Sequence, residues 1–168
     1  EVLNVYAKHY QTGDTMPKEL IEKLRESGKY GQGFATAERI QASMLDMAYH
    51  VIKEIPADFD IIKFEESVIK RLGALSQIPP RYRTTYFNHT MGGGYTAGYY
   101  SYMWAEVLDA DAYQAFIETG NIFDSETAAK FRKYVLTPGG IEDAMVMYTN
   151  FRGAEPGVEP LLKNRGLN

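Results

Sequence analysis

The 168-residue chain has no cysteine, which excludes disulfide bonds and thiolate metal sites. It has only three histidines, at positions 9, 50 and 89. None precedes a glutamate and no two are spaced as His-x-x-x-His, so the helical His-Glu-x-x-His zinc site, with two imidazoles and a carboxylate on one face, is absent. No apolar run approaches the ~18 residues of a membrane span. The net charge is −4 with no basic cluster, which argues against nucleic acid as a partner. Neither an alternating β pattern nor an internal repeat occurs. What is present is 45% hydrophobic sequence, enough at this length for one helical domain with a core.

Periodicity and punctuation predict an all-α, antiparallel bundle of six to eight helices. Residues 2–10 read as the end of a helix. Pro17 opens a second over Lys18–Arg25, stopped at Ser27-Gly28. Ile40, Met44, Leu45, Met47, Ala48, Val51 and Ile52 mark a long helix over 34–55. Phe64, Val68, Ile69 and Leu72 mark another over 64–75. Pro79-Pro80 forces an extended link before a short turn of helix at 84–89. Helices are then expected over 95–119, over 125–136 with Ser125 as N-cap, over 141–151 after Pro138-Gly139-Gly140, and over 160–163.

The run His89-Thr90-Met91-Gly92-Gly93-Gly94-Tyr95-Thr96-Ala97-Gly98-Tyr99-Tyr100-Ser101-Tyr102-Met103-Trp104 is the most informative stretch. As a helix from Tyr95, it places Tyr95, Tyr99 and Tyr102 at i, i+4 and i+7 on one face. His89 and three phenols can then converge and supply hydrogen bonds without net charge. Such a stripe is more often packed core than a site, and three glycines that admit a ligand or backbone strengthen the case for a site. They lack the Gly-Lys-Ser/Thr ending of a phosphate loop, so nucleotide binding is dismissed. Tyr100 and Trp104 form an i, i+4 pair on the opposite face and read as core.

This wording resembles the C-terminal signature of the thimet-oligopeptidase-like zinc metallopeptidases, most of all their bacterial peptidyl-dipeptidase (dipeptidyl carboxypeptidase) branch. The resemblance extends to Ile78-Pro79-Pro80-Arg81-Tyr82-Arg83, to Met44-Leu45-Asp46-Met47-Ala48-Tyr49-His50 and to Lys163-Asn164-Arg165-Gly166-Leu167-Asn168, and so covers essentially the whole chain. It implies a zinc-dependent peptidase that cleaves short peptides and releases C-terminal dipeptides. It also implies Tyr102 as oxyanion donor, Tyr95 as its assistant, His89 as a substrate or transition-state contact, Tyr99 as a cleft wall, and Gly92, Gly93 and Gly94 lying along the peptide. Because the zinc motif is missing, residues 1–168 are expected to be one helical C-terminal subdomain of a larger enzyme. On this expectation the zinc-binding part is its own partner, and the isolated piece binds no zinc and is inactive. Bacterial cytoplasm and periplasm both stay open as compartments.

Weaker candidates remain. Arg81, stiffened by two preceding prolines, could pair with a peptide carboxylate or serve in a salt bridge. Asp46 and His50, four apart, could be a metal pair but read better as a solvated or packed helix face, since no third ligand is in register. His9 reads as a surface residue. The competing function is a non-catalytic helical interaction domain.

Overall fold

The computed structural model describes residues 2–167, and it is all-α, with nine α-helices and no strand among those residues. Its contacts divide into two compact units between Gln32 and Gly33. The first unit holds α1 (Val2–Tyr6) and α2 (Lys18–Ser27). Between them a tight loop is closed by the Asp14 carbonyl, which accepts from the His9 amide at 2.8 Å, and by Gly13 at φ +75°. α1 therefore stops at Tyr6 rather than at residue 10, because residues 7–16 pair across the loop instead of up a helix.

The second unit is a helical bundle. α3 (Gln32–His50) leads into it, followed by α4 (Ile61–Arg71), a 3₁₀ turn at Thr84–Tyr86 and the short α5 (Asn88–Met91). Then come α6 (Ser101–Glu118), α7 (Ser125–Phe131) with a π-helical continuation over Arg132–Leu136, α8 (Ala144–Arg152) and α9 (Glu159–Asn164). Side-chain caps set the starts of α4, α7 and α8. Asp60 accepts from the Ile62 and Lys63 amides, and Asp143 from those of Met145 and Val146. Asp124, one residue before the expected Ser125, caps α7 through the Thr127 amide at 2.7 Å. α8 starts at Ala144 rather than 141, leaving Ile141 exposed, and Gly153 at φ +85° ends it in the left-handed conformation. α3 ends at His50 instead of continuing to residue 55.

Two apolar clusters pack this unit. One joins Ala42, Phe87 and Tyr99, with Tyr82 against them. The other joins Ala112, Tyr148 and Phe151, flanked by Phe116, Phe131 and Tyr134. Polar joints tie the elements. Glu106 on α6 pairs with Arg39 on α3 and with Arg165 just past α9, whose guanidinium also donates to Thr36 at 3.1 Å. Buried Asp111 accepts from the Tyr148 hydroxyl at 2.6 Å and pairs with Arg152 at 3.2 Å.

Glu65, 2% exposed on α4, accepts from Arg83 at 2.6 Å, from the Thr84 amide at 2.8 Å and from the Thr84 hydroxyl at 2.7 Å. Burial alone would raise its carboxyl, but the Thr84 donors and the Arg83 guanidinium outweigh that and hold it below the ordinary carboxylate value of 4.5. A depressed folded-state value contributes stability that is present above the unfolded value and lost as pH falls through the folded one. The chain should therefore lose stability below about pH 4.5. Urea unfolding of Glu65→Gln should show a shallower acid loss, with neutral-pH stability lower by about 1–3 kcal/mol. An unchanged acid slope would assign it to other groups.

Candidate active site

The site begins with a backbone turn. α5 carries His89, and the His89 carbonyl accepts from the Tyr95 amide at 3.1 Å, folding the three glycines into a closed loop. A Cβ on Gly93 would lie 2.8 Å from that carbonyl oxygen and 3.0 Å from the Asn88 oxygen. A Cβ on Gly94 would meet nothing within 4 Å. Only one of these glycines is thus demanded strongly by its own backbone surroundings, and Gly94 borders open space.

The expected helix over 95–119 starts only at Ser101, and residues 96–100 form turns. The reason is local and tertiary together. Ala97 sits at φ +52°, the only non-glycine among the described residues in the left-handed region, at a cost of about 1–2 kcal/mol. Its amide donates at 3.1 Å, and that of Tyr99 at 3.0 Å, to the two carboxylate oxygens of fully buried Asp46 on α3. His50 stands behind, its Nδ1 2.9 Å from Asp46 Oδ1 and 2.8 Å from the Asp46 carbonyl. Both neighbours are acceptors, so Nδ1 carries the proton. Asp46 and His50 form a packed polar joint, with the carboxylate occupied by backbone amides.

The tyrosines converge without sharing one helical face. Tyr95 and Tyr102 stack with ring centroids 4.9 Å apart, and Tyr99 meets Tyr102 edge-on at 5.2 Å. The His89 ring lies 5.9 Å from Tyr95, 5.7 Å from Tyr99 and 6.2 Å from Tyr102. Tyr99 is 5% exposed and part of the core, whereas Tyr95 and Tyr102 each keep 38% of their surface open. A cavity of about 230 Å³ lies alongside, lined by Tyr99, Tyr102, His89 and Tyr82, with Arg39 and Arg81 among its walls. Tyr95 and Gly92, Gly93 and Gly94 do not line it, and Tyr95 reaches the cluster through its stack on Tyr102.

The electrostatics favour protonated phenols. The adjacent Tyr95 hydroxyl, then partial desolvation, push the Tyr102 phenol up to about 12. Burial and the neighbouring Tyr82 raise Tyr99 as well. Arg81 pairs with Glu38 at 3.0 Å, and its own amide donates to the Glu38 carbonyl at 3.0 Å. The salt bridge is therefore made, while the same arginine also borders the cavity. His9 is exposed within the first unit's loop. Among the described residues no three His, Asp or Glu side chains group so as to hold a metal ion. The residues present do not fit a zinc site.

A model of peptidase family M3 matches residues 1–167. The chain belongs to that family. It is 41% identical over 169 residues to the dipeptidyl carboxypeptidase of Escherichia coli K12, a match covering 100% of this chain and 25% of that protein. It is 38% identical over 168 residues to the dipeptidyl carboxypeptidase of Salmonella typhimurium, covering 99% of the chain and 25% of the relative. Against oligopeptidase A of Escherichia coli K12 the identity is 36% over 169 residues, covering 99% and 24%. The chain thus spans about a quarter of the length of the curated relatives it matches.

Within this M3 chain, sequence reasoning missed Tyr82, which lies 4.7 Å from His89 and stacks on Phe87 at 5.3 Å. The Pro-Pro-x-Tyr spacing was its available signal, because a stiff extended link presents a fixed side chain. Arg39 was also missed, and only its place on the inner side of a long helix could have pointed to it. Tyr100 and Trp104, read as core, are instead 54% and 48% exposed, because α6 starts six residues late and turns that edge outward.

The glycine loop yields a contrast. Gly93→Ala should lower the melting temperature of the chain, since the His89 carbonyl it would strike is backbone and already holds Tyr95. Gly94→Ala should leave the melting temperature within a degree or two of the parent. Equal thermal shifts for the two would show that the loop tolerates a Cβ throughout.

Proposed function

We propose that this chain is the substrate-side part of a zinc-dependent peptidase that cleaves short peptides, releasing dipeptides from their C-termini. The relatives named dipeptidyl carboxypeptidase support the reaction class. The convergence of His89, Tyr95 and Tyr102 beside a cavity walled by Tyr99 and Arg81 carries the reading. The metal, which supplies Lewis acidity and an activated water when bound, belongs on this reading to a part of the enzyme other than these residues.

Peptide cleavage builds negative charge on the former carbonyl oxygen, and fixed donors lower that barrier. Tyr102 is the donor here. Its phenol, pushed up to about 12, keeps its proton throughout the neutral range. Tyr95 stacks on the ring and limits its rotation. His89 borders the same space and contacts the substrate, and Gly92, Gly93 and Gly94 give the peptide room to run close to the backbone. Arg81, with one guanidinium edge held by Glu38, has further N–H groups for the peptide's terminal carboxylate. Alone, the chain does not hydrolyse peptides on this reading, since among the described residues it holds donors and walls but no group of side chains that could hold a metal.

Two measurements test this. In the complete enzyme, Tyr102→Phe should cut kcat about 10²–10³-fold with little change in KM, as for other single oxyanion donors. Tyr100→Phe, which removes the same atom from an exposed position, should leave kcat nearly untouched. A well-folded Tyr102→Phe enzyme with normal kcat would make the hydroxyl structural. Calorimetric titration of the 168-residue chain with zinc should reveal no tight stoichiometric site, and one such site per chain would overturn the division of labour.

A further inference from the structure

We propose that Asp46 is a positioning residue for the tyrosine site, acting through the backbone of Ala97 and Tyr99 and never touching substrate. This rests on the reading of Tyr95 and Tyr102 as the working donors. Asp46 has no exposed surface and does not line the cavity, so direct participation is excluded by access. Its two carboxylate oxygens divide between the amides of Ala97 and Tyr99 at 3.1 and 3.0 Å. Those two residues bracket Gly98 and lie between Tyr95 and Tyr102, so the carboxylate fixes the one segment that decides where those rings stand relative to each other.

Three features point to a tuned contact. Ala97 is held at φ +52°, a conformation an alanine leaves unless other interactions over-determine it. The next turn of α3 supplies His50, whose Nδ1–H reaches Asp46 Oδ1 at 2.9 Å and orients the carboxylate. Tyr99, whose amide is one of the two donors, carries a buried ring 5.2 Å from Tyr102. Carboxylate, amide and ring thus form a continuous mechanical link from α3 to the Tyr102 ring. Asp111 offers a natural control. It is also a buried carboxylate, at 5% exposure, but it serves Tyr148 and Arg152 in the other cluster.

The test compares Asp46→Asn with Asp111→Asn in the complete enzyme, by peptide cleavage and by fluorine NMR of protein labelled with 3-fluorotyrosine. The asparagine keeps shape but presents an N–H group to one of the two amides. Asp46→Asn should lower kcat at least about tenfold while KM changes less than about threefold, and it should shift the Tyr95 and Tyr102 fluorine signals. In a Tyr102→Phe background the kcat loss should largely vanish, because both changes disable the same donor. Asp111→Asn should move neither kcat nor those two signals. Additive losses, or unmoved Tyr95 and Tyr102 signals, would overturn the proposal. Normal kcat in Tyr102→Phe, or no cleavage by the unaltered enzyme, would sink the proposed function instead, and the fluorine comparison would then decide Asp46 alone. Should Asp46→Asn not fold, Asp46→Asn/Ala97→Gly relieves the left-handed alanine and should restore folding. If that variant also fails while Asp111→Asn folds, Asp46 supports the whole fold and the positioning role is wrong.

Discussion

Two backbone amides aimed at one buried carboxylate organise the second unit around its site. A carboxylate with no exposed surface is several kcal/mol unfavourable unless its lone pairs are filled. Asp46 has them filled by Ala97, Tyr99 and His50. The bond is mutual. The turn at 96–100 does not pair its amides as a helix would, and the carboxylate satisfies those of Ala97 and Tyr99 at a distance of about fifty residues in sequence. Without it, Ala97 has little reason to hold a positive φ, and the segment would relax toward helix. The position of Tyr99 in the core and of Tyr95 on Tyr102 both follow from that turn.

Two other carboxylates tie irregular segments to helices. Glu65 on α4 takes the Thr84 amide and hydroxyl together with Arg83, fixing the entry to the loop that carries Arg81 and Tyr82. Glu106 joins α3, α6 and the segment after α9 through Arg39 and Arg165. The fully apolar core is correspondingly small, and large side chains such as Val51, Met44 and Trp104 remain substantially exposed. On the proposed reading those faces meet the rest of the enzyme. Within the unit, charge and geometry therefore settle positions that a larger hydrophobic core would settle by packing.

Most of the helical architecture was legible in the sequence, since long apolar periodicities such as Ile40 to Val51 cannot be satisfied as strands. The convergence of His89, Tyr95, Tyr99 and Tyr102 was legible, because histidine, glycines and tyrosines crowd into sixteen positions. Their arrangement was not. Spacing of i, i+4 and i+7 fits a helix, yet it says nothing of an acceptor on another element, and Asp46 lies 51 residues from Ala97. The same blindness hid Glu65, whose meaning depends on Thr84, and misplaced Tyr100 and Trp104, whose exposure changed with the true start of α6. Cap positions erred by a residue or more because Asp124 and Ser125 are both good caps, and only the Thr127 amide chose between them.

The departure from helix has a chemical consequence. In a continuous α-helix, residues seven apart are separated by about 10.5 Å along the axis, too far for their rings to stack. Tyr95 and Tyr102 stack at 4.9 Å with planes 23° apart, which the turn alone permits. A donor acts on a developing charge most effectively when its orientation is fixed beforehand. Here the Tyr102 ring has Tyr95 stacked on it and Tyr99 edge-on, with 38% of the residue's surface left open. The stack also brings the two phenols close enough for the Tyr95 hydroxyl to raise Tyr102, so on the proposed reading one contact both orients the donor and secures its proton. A regular helix would present three separate phenols, whereas a left-handed alanine, a glycine and a distant aspartate make two of them a single preorganised group.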